Sequence, residues 1–230
     1  MRILSPLLLA ATLSLAPLTA AFAETATLTV TGMATVETAP DLATLSLGVT
    51  TSGATAAAAM SANSDAVAAV IARLKSAGVA DRDIQTSNLS LNPNWVTNAT
   101  GTASEIQGYV ATNMLTIRIR ALATTGAVLD AAISDGANSL NGLVFGLQNP
   151  RPAEDEARRQ AVADALARAT LLAGAAGTKL GTILSITDGG AAPPIPGPMY
   201  RMAEDNASVP VEAGSLGITA SVTLVFQIGD

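Results

Sequence analysis

DLATLSLGVTTSG, Asp41 to Gly53, runs directly into ATAAAAMSANSDAVAAVIARLKSAG, Ala54 to Gly78, and this junction decides the fold class. In the first half Leu45, Leu47 and Val49 alternate with Thr44, Ser46 and Thr50. That period of two predicts a half-buried strand over Asp41 to Ser52. After Gly53 the spacing changes. Met60, Val67, Val70, Ile71 and Leu74 recur at helical intervals in an alanine-rich run. They predict an amphipathic helix over Thr55 to Ala77, with Gly78 as its stop.

Working outward, Thr25 to Thr38 alternates Thr with Leu28 and Val30, a second strand pattern. Ala39-Pro40-Asp41 is a turn, so the two strands are expected to form a hairpin. Downstream, Asp83 to Val96 and Ile106 to Arg120 read as strands around a polar loop, Asn98 to Ser104. In the second of these Leu115, Ile117 and Ile119 face inward, and Thr116, Arg118 and Arg120 face outward. Thr124 and Thr125 can cap a short helix carrying Val128, Leu129, Ala132 and Ile133. Leu143, Phe145 and Leu147 mark a further strand.

Pro150-Arg151-Pro152 opens the clearest helix, with Glu154, Asp155 and Glu156 in the first turn, where the helix dipole favours anions. Glu154–Arg158, Asp155–Arg159 and Asp164–Arg168 are spaced as i,i+4 pairs. Ala161, Val162, Ala165, Leu166, Ala169 and Leu172 are the expected buried stripe. Gly174 and Gly177 close the helix, and Leu180 to Thr187 is a strand. Asp188 to Ala213, rich in Pro and Gly, reads as a long irregular loop. Ile218, Ala220, Val222, Leu224, Phe226 and Ile228 alternate in a final strand. The order ββαββαβαββ predicts an α+β domain with mixed, largely antiparallel sheets and helices packed on one face.

The first 23 residues read as an export signal. Arg2 is the positive start, Leu7 to Leu18 the apolar run, and Ala21-Phe22-Ala23 the cleavage triplet. The mature domain is then expected to span 24–230, in the periplasm. The apolar run is too short for a membrane span, and no later stretch reaches spanning length without polar interruption, so no integral membrane association is expected. The formal net charge is −6, becoming −7 with the loss of Arg2. An acidic chain with scattered Lys and Arg, and aromatics at 3%, is a poor partner for nucleic acid.

The chain has no Cys and no His. That excludes disulfides, thiolate and imidazole catalysis, and the commonest zinc and iron–sulfur ligand sets. The remaining candidates each have a structural explanation. Asp81-Arg82-Asp83 could hold a cation but reads as a polar turn. Glu154-Asp155-Glu156 is explained by its helix position. Gly174, Gly177, Thr178, Lys179 and Gly181 are in the wrong order for a phosphate loop and follow a helix C-terminus, which repels phosphate. Met199 and Met202 lie in the long loop, open to oxidation. Asn88, Asn98 and Asn206 start chance glycosylation triplets. Trp95 and Tyr109 flank the Asn98–Ser104 loop and could line a small pocket, but they are expected to pack on one another across a hairpin. No catalytic, cofactor-binding or metal residue is assigned.

Several short motifs occur together in a fixed order. They are Thr31-Gly32 leading to Ala39-Pro40-Asp41-Leu42-Ala43, Asp83-Ile84-Gln85-Thr86, Gly108-Tyr109 to Asn113, Ala157-Arg158-Arg159 to Arg168-Ala169, and Lys179-Leu180-Gly181 with Ile183 and Ile186. With the alternating last strand they resemble the SIMPL-domain family of bacterial envelope proteins, over about residues 25–229. The chain departs from the family at Ala34 and at Ala213-Gly214, both turn or bulge positions. The resemblance implies a periplasmic α+β domain that assembles into ring-like homo-oligomers and is associated with oxidative and envelope stress. It carries over no catalytic residues.

Overall fold

Two antiparallel sheets, each backed by helix, make up the computed structural model, which describes residues 26–97, 101, 104–192, 195–196 and 211–229. The strands and helices are β1 (Thr27–Thr38), β2 (Leu42–Gly53), α1 (Ala56–Ser76), β3 (Ile84–Thr97), β4 (Ser104–Ile119), α2 (Thr125–Ser134), β5 (Ser139–Gly146), α3 (Arg151–Ala175), β6 (Lys179–Ala191), β7 (Ile195–Pro196) and β8 (Leu216–Gly229). The α+β architecture follows the sequence pattern, and every described strand pairing is antiparallel. The export signal and the cleavage triplet lie outside the described residues.

One sheet has the order β3-β4-β2-β5, the other β1-β8-β6 with β7 also on β8. The expected β1–β2 hairpin is therefore not formed. β1 pairs along its whole length with β8, Thr27 opposite Gln227 and Thr38 opposite Leu216. The short Ala39-Pro40-Asp41 connection instead carries the chain from one sheet to the other. A turn signal fixes a change of direction but not the neighbour a strand takes.

In the β2 sheet the alternation places Ala43, Leu45, Leu47 and Val49 in a core with Leu115, Ile117 and Ile119 of β4, closed by Val67, Val70 and Leu74 of α1 and Val128 and Leu129 of α2. α1 begins where Thr55 Oγ1 accepts from the Ala58 amide at 3.2 Å, and ends at Gly78, whose φ of 92° suits glycine. Thr55→Ala is expected to cost about 1 kcal/mol in denaturant unfolding, the usual value of a hydroxyl cap. α2 differs from expectation. Thr124 already has helical dihedrals and bonds back to the Ala121 carbonyl, so it caps nothing.

In the other sheet, Val30 of β1 and Val222, Leu224 and Phe226 of β8 pack beneath α3. The buried stripe of α3 is Ala157, Ala161, Ala165, Ala169 and Ala173, one alanine every four residues. Leu166 and Leu172, expected in the stripe, are instead exposed, as is Leu171. The reason lies on β1. A Cβ built on Gly32 would collide with the Ala161 carbonyl oxygen and the Ala165 amide, and would sit 2.8 Å from Ala165 Cβ. The helix approaches so closely that only alanine fits between helix and strand, and the leucines turn outward. Part of the expected 188–213 loop is also ordered strand, since β6 continues through Asp188 to Ala191 and β7 follows.

Candidate functional site

The turn Asp81–Asp83 forms a single 3-10 turn between α1 and β3. Asp83 is no ordinary turn residue: it is only 4% exposed. Its carboxylate receives Nε of Arg120 at 2.8 Å and Nη2 at 2.7 Å, a two-pronged fork from the residue that follows β4. Arg120 Nη1 donates to Gln148 Oε1 at 2.8 Å. Gln148 in turn donates its amide to Asp41 Oδ1 and its Nε2 to the Asp41 carbonyl. This chain ties together the ends of β2, β4 and β5. The Arg120 guanidinium holds the Asp83 carboxyl below its usual range, against the opposing effect of burial, and the fields of Arg82 and Arg118 add to it. The same pairing raises Arg120.

Asp81 does not join Asp83 around a cation, because it pairs with Lys75 at 3.0 Å. Around this turn lies a cleft of about 170 Å³, lined in part by Arg82, Asp83, Arg118, Arg120 and Thr124. Sequence reading missed the Asp83–Arg120 pair. The signal was present only as an acid and a base beside apolar strand ends, 37 residues apart.

The acidic triplet is engaged along α3. Arg158 meets Glu154 at 3.6 Å and Asp155 at 3.1 Å, and crosses to Asp188 of β6 at 3.2 Å. Arg159 pairs with Glu156 at 2.6 Å rather than with Asp155 as expected, and Asp164–Arg168 forms as expected. Gly177 takes a φ of 71° at the end of α3, and a Cβ at Gly181 would stand 2.8 Å from the Gln227 carbonyl of β8. These glycines serve a helix stop and strand contact. Trp95 and Tyr109 do not face one another: Tyr109 is opposite Pro93, and Trp95 opposite Ile106. Met199, Met202 and the triplets at Asn98 and Asn206 lie outside the described residues, while Asn88 sits in β3.

The sheet edges form a second candidate surface. On the outer faces hydroxyls pair within the chain, Thr31 with Thr223 at 2.9 Å, Thr35 with Thr219 at 2.8 Å and Thr50 with Thr112 at 3.1 Å. The free edge of β1 is guarded, because Asp164 of α3 accepts the Met33 amide at 2.9 Å. That amide, followed by Arg168, keeps the Asp164 carboxyl below its usual range. Among the described residues β5 and β6 have no such guard, and on β3 only Pro93 interrupts the row of amides. β3 and β5 carry no charged residue, nor does β6 between Leu180 and Thr187. They expose Leu89, Leu91 and Trp95, Leu140 and Val144, and Ile183, Leu184 and Ile186 respectively. Among the described residues no helix is long and apolar enough to cross a membrane.

Residues 28–226 match the family model SIMPL, described as a protein of unknown function (DUF541). The chain is 38% identical over 214 residues to the 26 kDa periplasmic immunogenic protein of Brucella melitensis biotype 1, covering 88% of this chain and 85% of that protein. It is 30% identical over 203 residues to the uncharacterized protein YggE of Escherichia coli K12, covering 86% of this chain and 81% of that protein. None of these descriptions carries an enzymatic activity.

Proposed function

From the premise that this chain belongs to the SIMPL family, we propose that it is a non-enzymatic periplasmic protein that self-assembles through its sheet edges into a homo-oligomer, a scaffold or ring, with a role in oxidative or envelope stress. The periplasmic location is supported by the leader-like first 23 residues and by the name of the Brucella relative. The stress role rests on the family resemblance. The assembly reading rests on one observation, the contrast between the guarded edge of β1 and the uncharged, apolar edges of β5, of β6 between Leu180 and Thr187, and of β3 on either side of Pro93. Monomeric proteins usually blunt such edges with charge, proline or cover, because the unpaired amides and carbonyls template another strand.

The test is native mass by light scattering on the protein expressed from Glu24. A discrete assembly is expected, and Leu91→Lys or Ile186→Lys should shift it to smaller species while leaving the circular dichroism of the fold unchanged. A monomer at high concentration overturns the reading and favours the alternative, a monomeric or dimeric periplasmic binding module for a peptide, lipid or small ligand.

A further inference from the structure

We propose that the arginine-lined cleft beside Asp83 binds a small oxyanion with two or more anionic oxygens, of the size of inorganic phosphate or a short dicarboxylate. This inference is independent of the assembly reading. The chain is acidic, 18 Asp and Glu against 12 Lys and Arg, so a carboxylate is within easy reach of most cations. Arg73, Arg158, Arg159 and Arg168 each have one within 3.2 Å. Among the described residues Arg82, Arg118 and Arg151 do not. Among the described residues Arg82 comes no nearer to a carboxylate than 3.9 Å, to Asp83, and neither Arg118 nor Arg151 forms a pair. Two of these three line the same cleft.

The local balance is positive. The cleft lining holds Arg82, Arg118 and Arg120 against one carboxylate, Asp83, which Arg120 already neutralises. The C-terminal end of α1, at the rim, does not account for the surplus. Its last turn has Arg73 and Lys75, and its carbonyls are capped by the amides of Ala77, Gly78 and Val79. Arg118 and Arg120 stand two apart at the end of β4, so their side chains leave the sheet on one face. Arg82 is carried in from the 3-10 turn. Asp83 and Gln148 hold Arg120 in place, which leaves Arg82 and Arg118 as the planar, multi-donor groups suited to a carboxylate or phosphate. The cleft volume of about 170 Å³ has room for a ligand of this size. The net charge of −6 works against extended polyanions.

Titration calorimetry on the protein purified from Glu24 tests this, with sodium phosphate and sodium succinate added separately in an oxyanion-free buffer of low ionic strength. Sodium chloride at matched ionic strength is the reference. Saturable one-to-one binding of at least one probe is expected, and the probe that binds identifies the ligand class. Arg82→Gln and Arg118→Gln should each weaken it about 10-fold or more, the scale of one lost charge-assisted contact. The double variant should abolish it, and Arg151→Gln should leave it unchanged. Both arginines are exposed and the Asp83–Arg120 fork remains, so the variants should stay folded and melt close to the wild type. Heats no larger than those of chloride, or binding that survives the double variant, overturn the proposal.

Discussion

Replacing Gly32 with alanine is expected to lower stability by about 3 kcal/mol or more, at or beyond the upper end of what overpacking usually costs. The size follows from what the new methyl group would meet. Its neighbours are the Ala161 carbonyl and the Ala165 amide, backbone atoms of α3 that cannot rotate away. The helix must lift off β1, and each alanine of the stripe then loses contact with the sheet. Valine at the same position should leave no cooperative transition for this half of the molecule. Gly146→Ala is the control: nothing lies within 4 Å of its built Cβ, and a change within about 0.5 kcal/mol is expected. Guanidinium unfolding of both variants decides the matter. A neutral Gly32→Ala would mean that α3 does not sit this close to β1.

Arg120→Gln is expected to lower the melting temperature at neutral pH by on the order of 5 °C for a chain of this size. It does so because it leaves the Asp83 carboxylate buried without its fork. The pH dependence carries the specific signature. In the wild type Asp83 titrates below its ordinary value of 3.8. Its contribution is therefore present above that value and lost only as the pH falls through the lowered one. In the variant the largest lowering influence is gone and burial pushes the carboxyl upward, so the folded state is penalised at neutral pH and relieved as Asp83 takes up a proton. The gap between the two proteins should be widest at neutral pH and close in acid. Melting curves measured across the acid range test this, and a gap that stays constant with pH would place the effect in lost packing instead.

What was legible in the sequence was local. β2, α1 and β8 declare themselves through periods of two and 3.6 because their apolar residues are large and regularly spaced. The stripe of α3 was only half legible. Its spacing was right, but alanine carries so little hydrophobic signal that Leu166 and Leu172 looked like better core residues. What decided between them was Gly32, on a strand more than a hundred residues earlier. Partner choice was not legible at all, since β1 joins a strand near the far end of the chain rather than its neighbour β2. The Asp83–Arg120 pair was hidden for the same reason: each residue, read beside its own neighbours, looks like a solvated charge.

The pairing of β1 with β8 also governs the order in which the molecule can become complete. β1 is the earliest described strand to be synthesised, and β8, the central strand of its sheet, is the last. Until β8 is made, β1 and β6 have no strand between them and the alanine face of α3 lacks its main floor, whereas the β3-β4-β2-β5 sheet with α1 and α2 has all its parts. One half of the protein can therefore fold as soon as the chain up to Gly146 has emerged into the compartment where it folds. The other must wait as open, pairing-competent backbone until Leu216–Gly229 arrives, so a chain without that strand loses the sheet while keeping its partner.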